Sequence, residues 1–150
     1  MRNQRLPAAF VHGTLFRREA VANTGTPIVL IVEDDLEIQA ILDEALVEAG
    51  FETAIVSSAE EAVTLLTGKV ADYRAIVTDI NLKGMMNGWQ VAKAAREIDP
   101  AFPIVYMTGA AAGEWPSHGV PNSILLAKPF APAQLVTAVS QLLNAGTPIA

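Results

Sequence analysis

From residue 28 onward the chain alternates between short apolar runs and longer stretches whose apolar positions recur at helical spacing. Ile28-Val-Leu-Ile-Val32 is the first such run. Five apolar, mostly β-branched residues are too few for a helix and suit a strand buried on both faces. Leu36, Ile38, Ile41, Leu42, Ala45, Leu46 and Ala49 follow at helical spacing, with Gly50 as a stop. Residues 53–56 read as a second strand. Ser57-Ser58 with Glu60-Glu61 then opens a helix over 59–67 that Gly68 ends. Residues 75–78 form a third strand ending at Asp79. A Gly- and Asn-rich loop leads to a helix from about Gly88 to Ile98, stopped by Asp99-Pro100. Residues 103–107 form a fourth strand and 124–127 a fifth, and a closing amphipathic helix covers 132–143. Between the last two strands, Gly113, Pro116, Gly119 and Pro121 leave room for a short helix at most. Strands alternating with helices in this way predict right-handed crossovers and a doubly wound, five-stranded parallel sheet in a three-layer α/β/α sandwich.

The first 26 residues carry no sustained period and read as an extension without structure of its own. Residues 27–146 form the domain, and 147–150 a short tail. Basic residues do not precede a clean apolar run, so a secretory signal is excluded. Charge is divided unevenly along the chain. Arg2, Arg5, Arg17 and Arg18 against Glu19 give the extension +3, so the remainder holds −9 of a net −6. An acidic domain lacks the Lys and Arg needed to neutralise nucleic-acid phosphates. The absence of Cys excludes disulfides, thiolate metal sites and a cysteine nucleophile. Mean hydropathy is +0.34, yet charged residues, Gly or Pro interrupt every apolar run before membrane-spanning length.

Parallel sheets of this kind place their sites at the carboxyl ends of the strands. Glu33, Asp34 and Asp35 follow the first strand, Asp79 the third, Thr108 the fourth and Lys128-Pro129 the fifth. Each admits a purely local role. Asp34 or Asp35 can cap the next helix, a reading preferred for Asp35, with Glu37 placed in the first turn. Asp79 can form a turn, Thr108 can cap a helix, and Lys128 can be a surface lysine. Together they make a coherent chemistry. Adjacent carboxylates repel one another, and a hard divalent cation such as Mg²⁺ relieves that repulsion. A carboxylate beside such a cation can attack phosphorus, and Lys and Thr can offset charge on a transferring phosphoryl group.

In these positions the sequence resembles the receiver domain of bacterial response regulators, the phosphoacceptors of two-component systems. Five stretches carry the likeness in order: Ile31-Val-Glu33-Asp34-Asp35, Val77-Thr-Asp79-Ile-Asn81-Leu, Met86-Asn87-Gly88, Tyr106-Met-Thr108-Gly109 and Lys128-Pro129-Phe130. The resemblance implies a flavodoxin-like (βα)5 fold with Asp79 as phosphoacceptor. It implies a Mg²⁺ site of Asp34 as direct ligand, Glu33 acting through water, Asp79, and the backbone carbonyl of Asn81. Thr108 would bond a phosphoryl oxygen and move inward. Lys128 would pair with Asp79 or its phosphate, ahead of a cis Lys128-Pro129 bond. The sequence departs from the family pattern in three places. Lys83 stands where many receivers have Pro, in a loop one residue longer than the commonest form. Ser123, Ile124, Leu125 and Leu126 occupy the stretch that often holds an aromatic switch residue. The fourth helix is shortened or broken by Trp115-Pro116 and Pro121.

The expected function is that of a stand-alone cytoplasmic receiver, taking a phosphoryl group from a histidine kinase or a histidine phosphotransfer protein. It would act on a downstream protein, or as a phosphate shuttle or sink, without binding DNA or spanning a membrane. It would catalyse only its own phosphorylation and dephosphorylation, and so would not be a conventional enzyme. An unphosphorylated interaction module is the main alternative. A phosphatase with an Asp nucleophile normally has a second Asp two residues later, where Asn81 stands and cannot transfer protons. In a flavin binder the loop after the first strand would meet phosphate with Glu33-Asp34-Asp35, which repels it. Ala110 and Asn81 leave the acceptor's surroundings small and uncharged, which predicts a short-lived acyl phosphate. Trp89 is expected as a partly buried anchor, and Trp115 as either packing or a partner contact.

Overall fold

The structure is a computed structural model and describes residues 9–11, 14–16, 28–69, 72–110 and 112–145. In chain order the elements are β1 (Ala9–Val11), β2 (Thr14–Phe16), β3 (Ile28–Val32), α1 (Leu36–Glu48), β4 (Glu52–Val56), α2 (Ala59–Lys69) and β5 (Ala75–Asp79). They continue with α3 (Gly88–Ile98), β6 (Ile104–Thr108), a 3₁₀ turn (Ala112–Glu114), α4 (Trp115–His118), β7 (Ile124–Ala127) and α5 (Pro132–Ala145).

β4, β3, β5, β6 and β7 lie side by side, all parallel, as the alternating pattern predicts. The residues of β3, β5 and β6 alternate between two cores because successive side chains of a strand point to opposite faces. Leu30, Ile76, Ile104 and Tyr106 pack with α2 and α3, whereas Val29, Ile31, Val77, Val105 and Met107 pack with α1 and α5. Both faces are dry, which explains why these runs read as continuous apolar stretches.

β1 and β2 depart from the expected extension without structure. They pair antiparallel with each other, and β2 pairs antiparallel with β4, so among the described residues the sheet has seven strands. The physical reason is the outer edge of β4, whose unpaired N–H and C=O groups are a template for any β-prone segment. Ala9-Phe-Val and Thr14-Leu-Phe supply two such segments, each too short to display a period. The rest of residues 1–27 and the tail 147–150 lie outside the described residues.

Helix boundaries follow local chemistry. Asp35 caps α1, accepting from the N–H groups of Glu37 and Ile38 at 2.9 and 3.1 Å, the local role preferred for it. Gly50, with φ +101°, follows α1. Asn87 caps α3 in a reciprocal box with Gln90. α2 passes through Gly68 to Lys69 rather than stopping at the glycine; a Gly near a helix end costs only about 1 kcal/mol. α4 is a single turn. No described helix is long and apolar enough to cross a membrane.

Candidate phosphoryl and metal site

The strand order reverses at β3, which sits between β4 and β5, and this is where an open parallel sheet forms its crevice. Glu33 and Asp34 follow β3 directly. Asp79 and Thr108 are the last residues of β5 and β6, and Lys128 follows β7. One oxygen each from Glu33, Asp34 and Asp79 lies within 4.8 Å of the others. Lys128 Nζ stands 3.2 Å from Asp79 Oδ2 and 3.5 Å from Glu33 Oε1. Four of the sequence-selected side chains therefore converge on one point. Thr108 ends the strand beside Asp79, and Lys128 N–H donates to the Thr108 carbonyl at 2.7 Å. The Thr108 hydroxyl accepts from Ala110 N–H at 3.1 Å. The Lys128-Pro129 bond is cis.

Further contacts fix the backbone around the acids, and one of them, from Gln39, was not expected from the sequence. Gln39, buried on α1, donates to the Glu33 carbonyl at 2.6 Å and to Ser57 Oγ at 3.2 Å. Asp35 N–H donates to Glu33 Oε2 at 3.1 Å. Lys83 N–H donates to Asp34 Oδ2 at 3.1 Å. Gly88 packs on the backbone of Asp79 and Ile80, where no side chain fits.

Burial sets the electrostatics. It pushes the Asp79 carboxyl above the usual range, against the pull of Lys128 and of the Asn81 N–H bonded to it. Glu33 is also raised, chiefly by burial, with the Asp35 N–H opposing. Burial would lower the Lys128 ammonium, but the charges of Glu33 and Asp79 outweigh it and the net shift is upward. One ammonium thus faces more negative charge than it can balance. The donors are all hard oxygens and carry excess charge, which is the donor chemistry Mg²⁺ takes. Asn81 lies two residues past Asp79, with its N–H on the Asp79 carboxylate.

The aromatic side chains take other positions than a switch residue on the last strand. Tyr106 is fully buried on β6, its ring 4.7 Å from Trp89, and its hydroxyl accepts from Val120 N–H at 3.1 Å. Trp89 is an anchor as expected, but buried rather than partly buried. Trp115 packs on Gly119 and donates from Nε1 to Ser123 Oγ at 3.0 Å, which is a packing role.

Residues 29–140 match the family described as the response regulator receiver domain. The chain belongs to that family. A receiver protein from Sinorhizobium medicae WSM419 has a structure that superposes on this receiver with a TM-score of 0.78 at 48% identity, covering 81% of this chain and 97% of that one. SilR of Salmonella typhimurium, a probable transcriptional regulatory protein, is 32% identical over 121 residues, covering 79% of this receiver and 51% of SilR. CusR of Escherichia coli K12, a transcriptional regulatory protein, is 32% identical over 123 residues, or 80% of this receiver and 52% of CusR. The chain spans about half the length of these two curated relatives.

Proposed function

We propose that this receiver takes a phosphoryl group from a phosphohistidine onto Asp79, with Mg²⁺ held by Asp34, Asp79, the Asn81 carbonyl and, through water, Glu33. The observation that carries this reading is Lys128 Nζ lying between Asp79 and Glu33 beside a third carboxylate. A single half-buried cation among three acids leaves negative charge that a divalent cation can offset. When bound, Mg²⁺ would offset the charge of the carboxylates and of the phosphoryl oxygens.

Asp79 supplies the attacking oxygen. Its bond to phosphorus forms as the phosphorus–nitrogen bond of the donor breaks, and the donor histidine leaves as neutral imidazole once its other ring nitrogen is protonated. Lys128 follows the charge from the carboxylate to the phosphoryl group. Thr108 donates its hydroxyl proton to a phosphoryl oxygen, drawing the end of β6 towards Asp79. Water then attacks phosphorus, the bond from phosphorus to the Asp79 oxygen breaks, and inorganic phosphate leaves with Asp79 restored as a carboxylate. The receiver thus catalyses only its own phosphorylation and dephosphorylation and turns over no separate substrate.

The donor would be a sensor histidine kinase or a histidine phosphotransfer protein in the cytoplasm. The output would be contact with another protein, or onward transfer of phosphate. A net charge of −9 over residues 27–150 disfavours direct DNA contact. Acetyl phosphate or beryllofluoride with Mg²⁺ tests the central claim. Each should change Trp fluorescence and amide spectra, and Asp79→Asn should abolish the change. A full response in Asp79→Asn would overturn the assignment.

A further inference from the structure

We propose that Glu60 is a positioning residue for the phosphoacceptor loop, holding residues 81–87 so that Asn81 stays in place beside the metal site. The proposal rests on the reading of Asp79 as a Mg²⁺-dependent phosphoacceptor.

Two carboxylates anchor this loop through its backbone. Asp34 Oδ2 accepts from Lys83 N–H. Glu60 Oε2 accepts from two consecutive groups, Met85 N–H at 3.1 Å and Met86 N–H at 3.2 Å. Gly84 turns at φ +108°, and a Cβ there would lie 3.3 Å from Glu60 Oε1, so the loop wraps closely around the carboxylate. A charged oxygen shared by two adjacent N–H groups fixes the orientation of that stretch of chain.

The two anchors differ in their relation to the cation. Asp34 belongs to the carboxylate cluster, so a bound metal would compete with Lys83 for the same group. Glu60 lies outside that cluster and can keep its hold whether or not the metal is present. Nor does the helix need Glu60 for its start. Its neighbour Glu61 serves there, accepting from Ser57 N–H and donating its own N–H to Ser58 Oγ, each at 3.2 Å. The Glu60 side chain is thereby available to the loop of residues 81–87. This loop reads one residue longer than the common receiver form, and the turn at Gly84 around Glu60 accommodates its path.

Glu60→Ala, Glu60→Asp and Glu60→Gln separate reach from charge. Amide hydrogen exchange at Met85 and Met86, and Mg²⁺ titration followed by Trp fluorescence without any phosphoryl donor, are the two readouts. Glu60→Ala should speed exchange at those two amides, leave β3, β5 and β6 protected, and weaken Mg²⁺ binding by roughly tenfold, the scale typical of groups that orient metal ligands. Glu60→Asp, charged but too short, should behave like Glu60→Ala. Glu60→Gln, uncharged but of full length, should restore most of the affinity. Mg²⁺ binding within about twofold of wild type in both short variants would overturn the proposal. So would a Gln variant as weak as the Ala variant, because charge alone would then account for the effect. A wild-type protein without any Mg²⁺ response would instead refute the phosphoacceptor reading on which the proposal rests.

Discussion

Gly88 and Asp79 are in backbone contact: a Cβ on Gly88 would lie 2.2 Å from the Asp79 carbonyl oxygen and 2.8 Å from the Ile80 Cα. Gly88 N–H also donates to the Ile80 carbonyl at 2.9 Å. The first residue of α3 therefore sets how close the helix comes to Asp79, and the closeness depends on a missing side chain.

Gly88→Ala should accordingly damage stability and chemistry together. The obstructing atoms are backbone, so the helix or Asp79 must move. Urea unfolding should register a loss of about 1–3 kcal/mol, the range for overpacked positions. The beryllofluoride response should weaken as well, because the displaced group is the proposed acceptor. A variant of wild-type stability with an unchanged response would show that the helix start yields without cost.

The Asp79 carboxylate gives a pH prediction for the metal-free protein. Asp79 and Glu33 titrate above their ordinary values when folded, chiefly through burial. Between the unfolded and the raised folded values the native state binds more protons than the unfolded state, so stability falls as pH rises. At neutral pH both ionised acids are therefore a cost, relieved as the solution is acidified into the carboxylate range. Asp79→Asn should stabilise the metal-free protein at pH 7 by on the order of 1 kcal/mol. The difference should shrink as pH falls towards the ordinary carboxylate value. Denaturant midpoints of both proteins at several pH values measure it, and a gap that widens on acidification would refute the account.

Asp79, Asp34, Glu33, Thr108 and Lys128 are legible in the sequence because each sits at the end of an apolar run, and a parallel sheet gathers such ends on one rim. Their convergence follows from chain order and strand pairing alone. Glu60 is not legible in the same way. Its partners lie 25 and 26 residues ahead, and an acid in a first helical turn already has a sufficient local explanation in the dipole. Gln39 is hidden for a related reason, since a polar residue among the apolar positions of α1 does not announce that it faces inward. β1 and β2 escape because three residues cannot show a period of two, and their pairing depends on an edge visible only in the assembled sheet.

Arg96 fastens α3 to the segment that follows the short fourth helix. Its guanidinium donates to the carbonyls of Phe102 at 2.6 Å, Pro121 at 2.7 Å and Asn122 at 3.4 Å. Arg96→Ala should cost about 2 kcal/mol, the scale of a charged hydrogen bond reduced by its partial exposure. Exchange at the Val120 amide should rise ahead of global unfolding, since its bond to Tyr106 loses the support behind it. Arg96→Lys should recover little, because an ammonium cannot span three carbonyls in one plane. Equal exchange at Val120 in all three proteins would mean that the Trp115–Ser123 bond holds the segment alone.

The lifetime of the phosphorylated state follows from what surrounds Asp79. Ala110, two residues beyond Thr108, is exposed and ends in a methyl group, and the Asn81 side chain carries no charge. Neither can exclude a water approaching phosphorus from the solvent side, so hydrolysis should be limited by chemistry rather than access. Phosphorylated wild-type protein should therefore decay in minutes rather than many hours once the donor is removed. Ala110→Leu should lengthen the decay several-fold, on the order of 1 kcal/mol in barrier, while leaving the amount phosphorylated at saturating acetyl phosphate unchanged. Equal decay in the two proteins would place the limit in the positioning of water by groups at the buried side of the site. Decay over many hours in wild type would contradict an open approach altogether.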